Sequence, residues 1–106
     1  MKFLAVTACP SGVAHTYMAA EAIENAAKAR GIEIKVETQG SIGIENEITM
    51  NDVKDADAVI LTKDIGIKGK ERFKGKLIVN VGISDVVKNS DKLIDKIVAH
   101  LESKQK

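Results

Sequence analysis

One stretch constrains this chain more than any other. The apolar run Phe3 to Val6 leads into Ala8-Cys9-Pro10-Ser11-Gly12-Val13-Ala14-His15-Thr16 and then an alanine-rich segment, Tyr17 to Arg30. A buried strand that ends in a tight loop and opens directly into a helix aims a row of backbone N–H groups at one point. The helix dipole adds roughly half a positive charge there, so the arrangement is a ready-made anion site. Cys9, the one cysteine of the chain, stands at its mouth, where a thiol loses its proton more easily than a free side chain does. An activated thiolate beside a phosphate-shaped nest points to a phosphocysteine.

The residue types of the loop agree with that chemistry. Pro10 has no N–H and holds Cys9 extended, which keeps the helix from starting early. Gly12 permits a positive φ or a close approach of backbone to an anion. The amides of Ser11, Gly12, Val13, Ala14 and His15 are then placed to converge on phosphoryl oxygens, and Ser11 and Thr16 add hydroxyls. His15 lies six residues after Cys9, in the pattern C-x5-H-T. Its imidazole donates to the phosphoryl group when neutral or steadies the thiolate when protonated, unless it is only an exposed first-turn residue. Thr16 is a phosphate ligand or an N-terminal capping hydroxyl.

The catalytic candidates are thus Cys9, as nucleophile, and His15. The phosphate-binding candidates are Pro10, Ser11, Gly12, Val13, Ala14, His15 and Thr16, and no metal or cofactor is implied. Asp64, after a core strand, shapes the site or caps a turn. Tyr17 frames the pocket rim or packs on the sheet edge, and His100 reads as a solvated surface residue.

The rest of the chain reads as alternating strands and helices. Lys2 to Ala8 is almost continuously apolar, as for a strand covered on both faces. Met18, Ala19, Ala22, Ile23, Ala26 and Ala27 mark the packed face of the first helix, and Gly31 stops it as a left-handed cap. Ile32 to Glu37 alternates strictly, which predicts an edge strand, and Gly40 to Glu47 reads as a loop. Thr49-Met50-Asn51-Asp52 has capping-box form and starts a short helix. Ala58 to Thr62 is a second buried strand, third in chain order. Lys63 to Lys76 is a charged, glycine-punctuated excursion, and Leu77 to Val81 is the fourth strand. Leu93, Ile94, Ile97, Val98 and Leu101 line one face of a last helix, with Ser90 as its N-cap and Lys104 and Lys106 at its favourable end.

This pattern predicts an α/β fold: a four-stranded parallel open sheet of order 2-1-3-4, helices on both faces, and the phosphate-binding loop after strand 1. The topological switch then falls at the end of strand 1, where open α/β sheets bind ligands.

At 106 residues the chain is expected to be a single domain, 1–106. Sixteen basic and fifteen acidic side chains nearly cancel, so nothing calls for nucleic acid, and two phenylalanines and one tyrosine offer little for base stacking. A single cysteine excludes an internal disulfide. No apolar run approaches the ~18 residues of a membrane span, and no signal-peptide pattern opens the chain. A cytoplasmic domain without direct membrane insertion is expected.

The run from Ala8 to Ala22 closely resembles the fructose-type enzyme IIB domains of the bacterial sugar phosphotransferase system. The likeness continues through Val36-Glu37-Thr38-Gln39-Gly40-Ser41-Ile42-Gly43 and Gly69-Lys70-Glu71-Arg72-Phe73. Ser11 and Tyr17 stand where many members carry threonine and phenylalanine. The resemblance implies that Cys9 takes a phosphoryl group from a phosphohistidine on enzyme IIA. It passes the group to a sugar held by membrane-embedded enzyme IIC, which would bring the domain to the inner face of the membrane. The initiating Met1 and the lysine-rich tail suit a separate subunit.

Two other readings share the scaffold. A low-molecular-weight tyrosine phosphatase wants arginine where His15 stands and usually an Asp-Pro acid, yet the only proline here is Pro10. Arsenate reduction needs further thiols. A non-catalytic binding or regulatory domain would keep the fold and form no covalent phosphoenzyme.

Overall fold

The structure, a computed structural model, describes residues 1–8, 13–40, 43–63 and 66–104, with the backbone alone for residues 13–15 and 104. The first apolar run forms β1 (Lys2–Ala8), buried from Phe3 onward. Helix α1 (Val13–Ala29) begins earlier than Tyr17, the start of the alanine-rich segment. It ends in a Schellman motif. The Ile32 N–H donates to the Ala27 carbonyl at 2.9 Å and the Gly31 N–H to the Lys28 carbonyl at 3.1 Å, with Gly31 at φ +68°. Ile32 is buried in the same cluster as Ala27, the apolar contact that accompanies such ends. Ala19, Ala20, Ile23, Ala26 and Ala27 form the buried face, whereas Met18 is exposed. The small residues let the helix sit close to the sheet, and Met18 falls beside the stripe they define.

The remaining elements are β2 (Glu33–Gly40), β3 (Gly43–Glu45), α2 (Met50–Asp55), β4 (Ala58–Thr62), a short 3-10 helix (Lys70–Phe73), β5 (Ile78–Val81) and α3 (Ile83–Lys104). The sheet order is β3-β2-β1-β4-β5. β1 pairs in parallel with β2 and with β4, and β4 pairs in parallel with β5. β3 runs antiparallel to β2. The expected four-stranded parallel sheet is therefore corrected to a mixed sheet of five strands. Its fifth strand comes from a reversal after Gly40: Gly43, at φ +112°, takes a conformation that side chains resist. Gly40 then pairs with Gly43, Gln39 with Ile44 and Thr38 with Glu45. Three residues are too few for a periodic signal, so this strand reads as loop in the sequence. β2 is an edge strand only along its first residues, and β3 covers its end.

The sheet separates two apolar clusters, as helices on both faces require. Phe3, Ala5, Val36, Ala58 and Ile60 pack against α1 and α3. Leu4, Val6, Val59 and Leu61 pack on the opposite face with Ile48, Val53, Ile67 and Phe73. Ile67 and Phe73 anchor the charged excursion from beneath. Arg30, at the end of α1, donates to Asp95 at 2.6 Å and to Asp91 at 3.0 Å, tying α1 to α3. α3 starts well before the expected cap at Ser90 and breaks at Asn89 (φ −129°, ψ 31°). That break interrupts the helical period and hides the first half of the helix. No helix among the described residues is long and apolar enough to cross a membrane.

α2 opens with the expected capping box. The Thr49 N–H donates to Asp52 Oδ2 at 2.9 Å, and the Asp52 N–H donates to Thr49 Oγ1 at 3.3 Å. Lys35 Nζ donates to the same carboxylate at 2.8 Å. The Lys35 ammonium, followed by the Thr49 amide and hydroxyl, holds the Asp52 carboxyl well below the usual carboxylate range. The stability it contributes is present above its unfolded value near ~3.9 and is lost as pH falls through the folded value. Thr49→Ala is expected to cost about 1 kcal/mol, measured by urea unfolding at neutral pH. The difference from the parent protein should shrink in acid.

Candidate active site

Because β1, β2, β4 and β5 run in parallel, their carboxyl ends share one edge of the sheet, and Cys9 directly follows the end of β1. Among the described residues the buried polar side chains are Thr7, Thr16, Glu37, Thr38, Gln39 and Thr62. All six lie at that edge or in the first turn of α1 above it. Elsewhere the core is apolar. Buried polar groups cost free energy unless paired, so their confinement to one edge marks it as the place where polarity is used.

On the α1 face, the Thr62 hydroxyl accepts from the Ala8 N–H at 3.0 Å and donates to the Ala8 carbonyl at 3.2 Å. Thr7 Oγ1 donates to the Thr16 carbonyl at 3.2 Å, tying the end of β1 to the start of α1. Thr16 is 1% exposed, and its own Oγ1 has no hydrogen-bond partner among the described residues. α1 carries no acidic side chain in its first turn, so none of that turn's own side chains offsets the positive end of its dipole.

On the opposite face a charged network is satisfied completely. Arg72 donates in a fork to Glu37, Nη1 to Oε1 at 2.8 Å and Nη2 to Oε2 at 3.0 Å. Its other N–H groups reach the carbonyls of Gly69 at 2.8 Å, Ile48 at 2.7 Å and Lys68 at 3.1 Å. All five guanidinium donors are thereby spent. Glu37, fully buried, also accepts from the Ile48 N–H at 2.8 Å and Gln39 Nε2 at 2.7 Å. Gln39 in turn pairs with both backbone groups of Lys68, each at 2.9 Å. Burial alone would push the Glu37 carboxyl up, but these donors, Arg72 first, hold it below the usual range. The network fixes the 66–69 segment and the chain around Ile48 beside the end of β2.

Of the candidates read from the sequence, Cys9, Pro10, Ser11, Gly12 and Asp64 lie outside the described residues, as do the side chains of Val13, Ala14 and His15. The backbone of residues 13–15 forms the first turn of α1. Thr16 lies inside the helix, so it is not its N-cap. Tyr17 is exposed and donates to Glu45 of β3, which places it on the rim of this edge. His100 is exposed and lines a groove with Leu77 and Val79 at the amino end of β5, away from the site.

Sequence reasoning missed Thr7, Thr62 and the Glu37–Gln39–Arg72 network as parts of the site. A usable signal was present for the threonines: each falls at or near the end of a run that is otherwise apolar on both faces. Glu37, Gln39 and Arg72 stand in the two later runs that carry the family resemblance, but nothing in their local pattern joins them into a network.

The family model for the lactose/cellobiose-specific IIB subunit of the PTS matches residues 4–96. The chain is 72% identical over 100 residues to the fructose-like EIIB component 2 of Escherichia coli K12, covering 94% of each. It is 47% identical over 95 residues to the fructose-specific EIIABC component of Bacillus subtilis, covering 90% of this chain and 15% of that protein. The solution structure of the enzyme IIB subunit of the PTS from Escherichia coli K12 superposes with a TM-score of 0.93 at 38% identity, covering 99% of this chain and 97% of that one. With the strand that ends at Ala8, the helix that begins at Val13 and the matching fold, these likenesses lead to one assignment: the chain belongs to the enzyme IIB family of the bacterial sugar phosphotransferase system.

Proposed function

We propose that this enzyme IIB carries its phosphoryl group on Cys9, between a phosphohistidine of enzyme IIA and fructose or a related sugar held by enzyme IIC. In the first step the Cys9 thiolate attacks phosphorus, the P–N bond breaks, a P–S bond forms, and the imidazole leaves and regains a proton. In the second, a sugar hydroxyl attacks, loses its proton and forms a P–O bond, and the thiolate leaves. The amides from Ser11 to His15 and the Thr16 hydroxyl hold the phosphoryl oxygens, Pro10 shapes the loop, and His15 donates to the phosphoryl group or steadies the thiolate. One observation carries this reading. The buried polar groups of an otherwise apolar core gather at the sheet edge that β1 reaches one residue before Cys9. Relatives that join IIB with IIA and IIC components in one chain support both partners.

The same edge favours transfer over hydrolysis. Phosphatases clamp the spreading charge of the transition state with an arginine fork. The chain has two arginines. Arg72 has no donor left, and Arg30 is held by Asp91 and Asp95 at the far end of α1. The phosphoprotein is therefore expected to release inorganic phosphate slowly when enzyme IIC and sugar are absent. Steady turnover of an aryl phosphate at phosphatase-like rates would revive the hydrolase.

Enzyme IIA must cover Cys9, since transfer needs donor and acceptor in line and in contact. Its footprint is expected over Pro10 to His15, Ile42 to Ile44 and Asp64 to Lys70. The exposed side chains of Tyr17, Met18 and Ile44 offer apolar area on the same rim. An amide-shift map on adding enzyme IIA tests this; shifts centred on the amino ends of the strands would contradict it.

A further inference from the structure

We infer that Thr62 is a positioning residue for the phosphoryl acceptor, acting through the backbone of Ala8; the inference rests on the Cys9 reading above. Thr62 ends β4, and it is 2% exposed. Regular pairing of β1 with β4 runs from Phe3 opposite Ala58 to Val6 opposite Leu61. Past that point the Thr62 hydroxyl takes over the role of a neighbouring strand. It accepts from the Ala8 N–H at 3.0 Å and donates to the Ala8 carbonyl at 3.2 Å. One side chain thus holds both polar groups of the residue bonded to Cys9.

The far end of the loop is tied as well, through the bond from Thr7 Oγ1 to the Thr16 carbonyl at 3.2 Å. A loop of this kind works by aiming amides and a thiolate at one point, and aim is sensitive to small displacements at its anchors. Thr62 also lies in β4 rather than in a loop, so its own place is set by pairing with Val81 and by the packing of Ile60 and Leu61. It is a fixed post beside the residue bonded to Cys9. Of the partner surface proposed above, residues 43–44 and 66–70 make no hydrogen bond with the Thr62 hydroxyl.

This division sets the test. Thr62→Val keeps the volume and removes the hydroxyl, while Thr62→Ser keeps the hydroxyl. Phosphoryl transfer from phosphorylated enzyme IIA is measured for each. Thr62→Val is expected to lower kcat by roughly tenfold to a hundredfold with KM for enzyme IIA unchanged, and Thr62→Ser is expected to restore most of the rate. Should valine prevent folding, Thr62→Ala gives the same readouts without added bulk. Unchanged kcat in the hydroxyl-free variant, or equal loss in Thr62→Ser, overturns the inference. Labelling of Cys9→Ser at the parental level would instead refute the Cys9 reading itself, so the two failures are separable.

Discussion

Arg72→Met is expected to cost about 3–5 kcal/mol of folding stability, the range for breaking a buried ion pair by removing one partner. The Glu37 carboxylate has no solvent exposure and would keep only the Ile48 and Gln39 donors. It would have to stay charged without a cation or take up a proton. The Ile48 carbonyl would lose its donor at the same time, while the carbonyls of Gly69 and Lys68 would keep only the residue-72 backbone N–H and Gln39 Nε2. Arg72→Lys is not conservative here, because an ammonium cannot reproduce the fork to Glu37 and the bond to Gly69 together. Gly69, at φ +78°, resists replacement as well: an added Cβ would lie 2.7 Å from Arg72 Nε. The Glu37→Gln/Arg72→Met double variant should recover part of the loss, since it leaves no unpaired charge. Chemical denaturation of the parent, the two single variants and the double variant measures this directly. Additive costs across the cycle would contradict the coupling. Because Glu37 is held below its ordinary range, its contribution is present above its unfolded value near ~4.3 and is lost as pH falls through the folded value. Acid should therefore narrow the gap between parent and Arg72→Met.

Much of this arrangement is legible in the amino-acid sequence, and the part that is not has physical causes. β1 and β4 are readable because strands covered on both faces are apolar without interruption, and their boundaries agree with those expected from the apolar runs. Gly31 and the Thr49–Asp52 box are readable because caps have local chemistry. β3 is not, since three residues of Gly-Ile-Glu carry no period and owe their strand to pairing with Thr38–Gly40. The first half of α3 is hidden by the break at Asn89. At the site, Cys9 declares itself by being alone at the end of a buried strand and at the start of a helix. Thr62 and Arg72 do not, because their roles lie in contacts with Ala8 and Glu37, residues 54 and 35 positions away.

Cys9→Ser is the other change with a large expected effect. It is expected to leave the fold in place and to reduce phosphoryl acceptance from enzyme IIA by more than about a thousandfold. A serine hydroxyl is a poor nucleophile at neutral pH without a base to take its proton. The helix dipole and the amides proposed to hold the phosphoryl oxygens would favour an anion, but an amide is no base. The variant should still bind enzyme IIA, because the partner surface is untouched. A normal amide-shift footprint with no transfer would separate lost chemistry from lost docking.

The most direct measurement is the intact mass of the parent protein after incubation with phosphorylated enzyme IIA, followed by mapping of the labelled peptide under conditions that preserve phosphocysteine. The account predicts a gain of one phosphoryl group per chain, located on the peptide that carries Cys9 and discharged when enzyme IIC and its sugar are added. No gain in mass, or a phosphoryl group found on His15 or His100 instead, would contradict it.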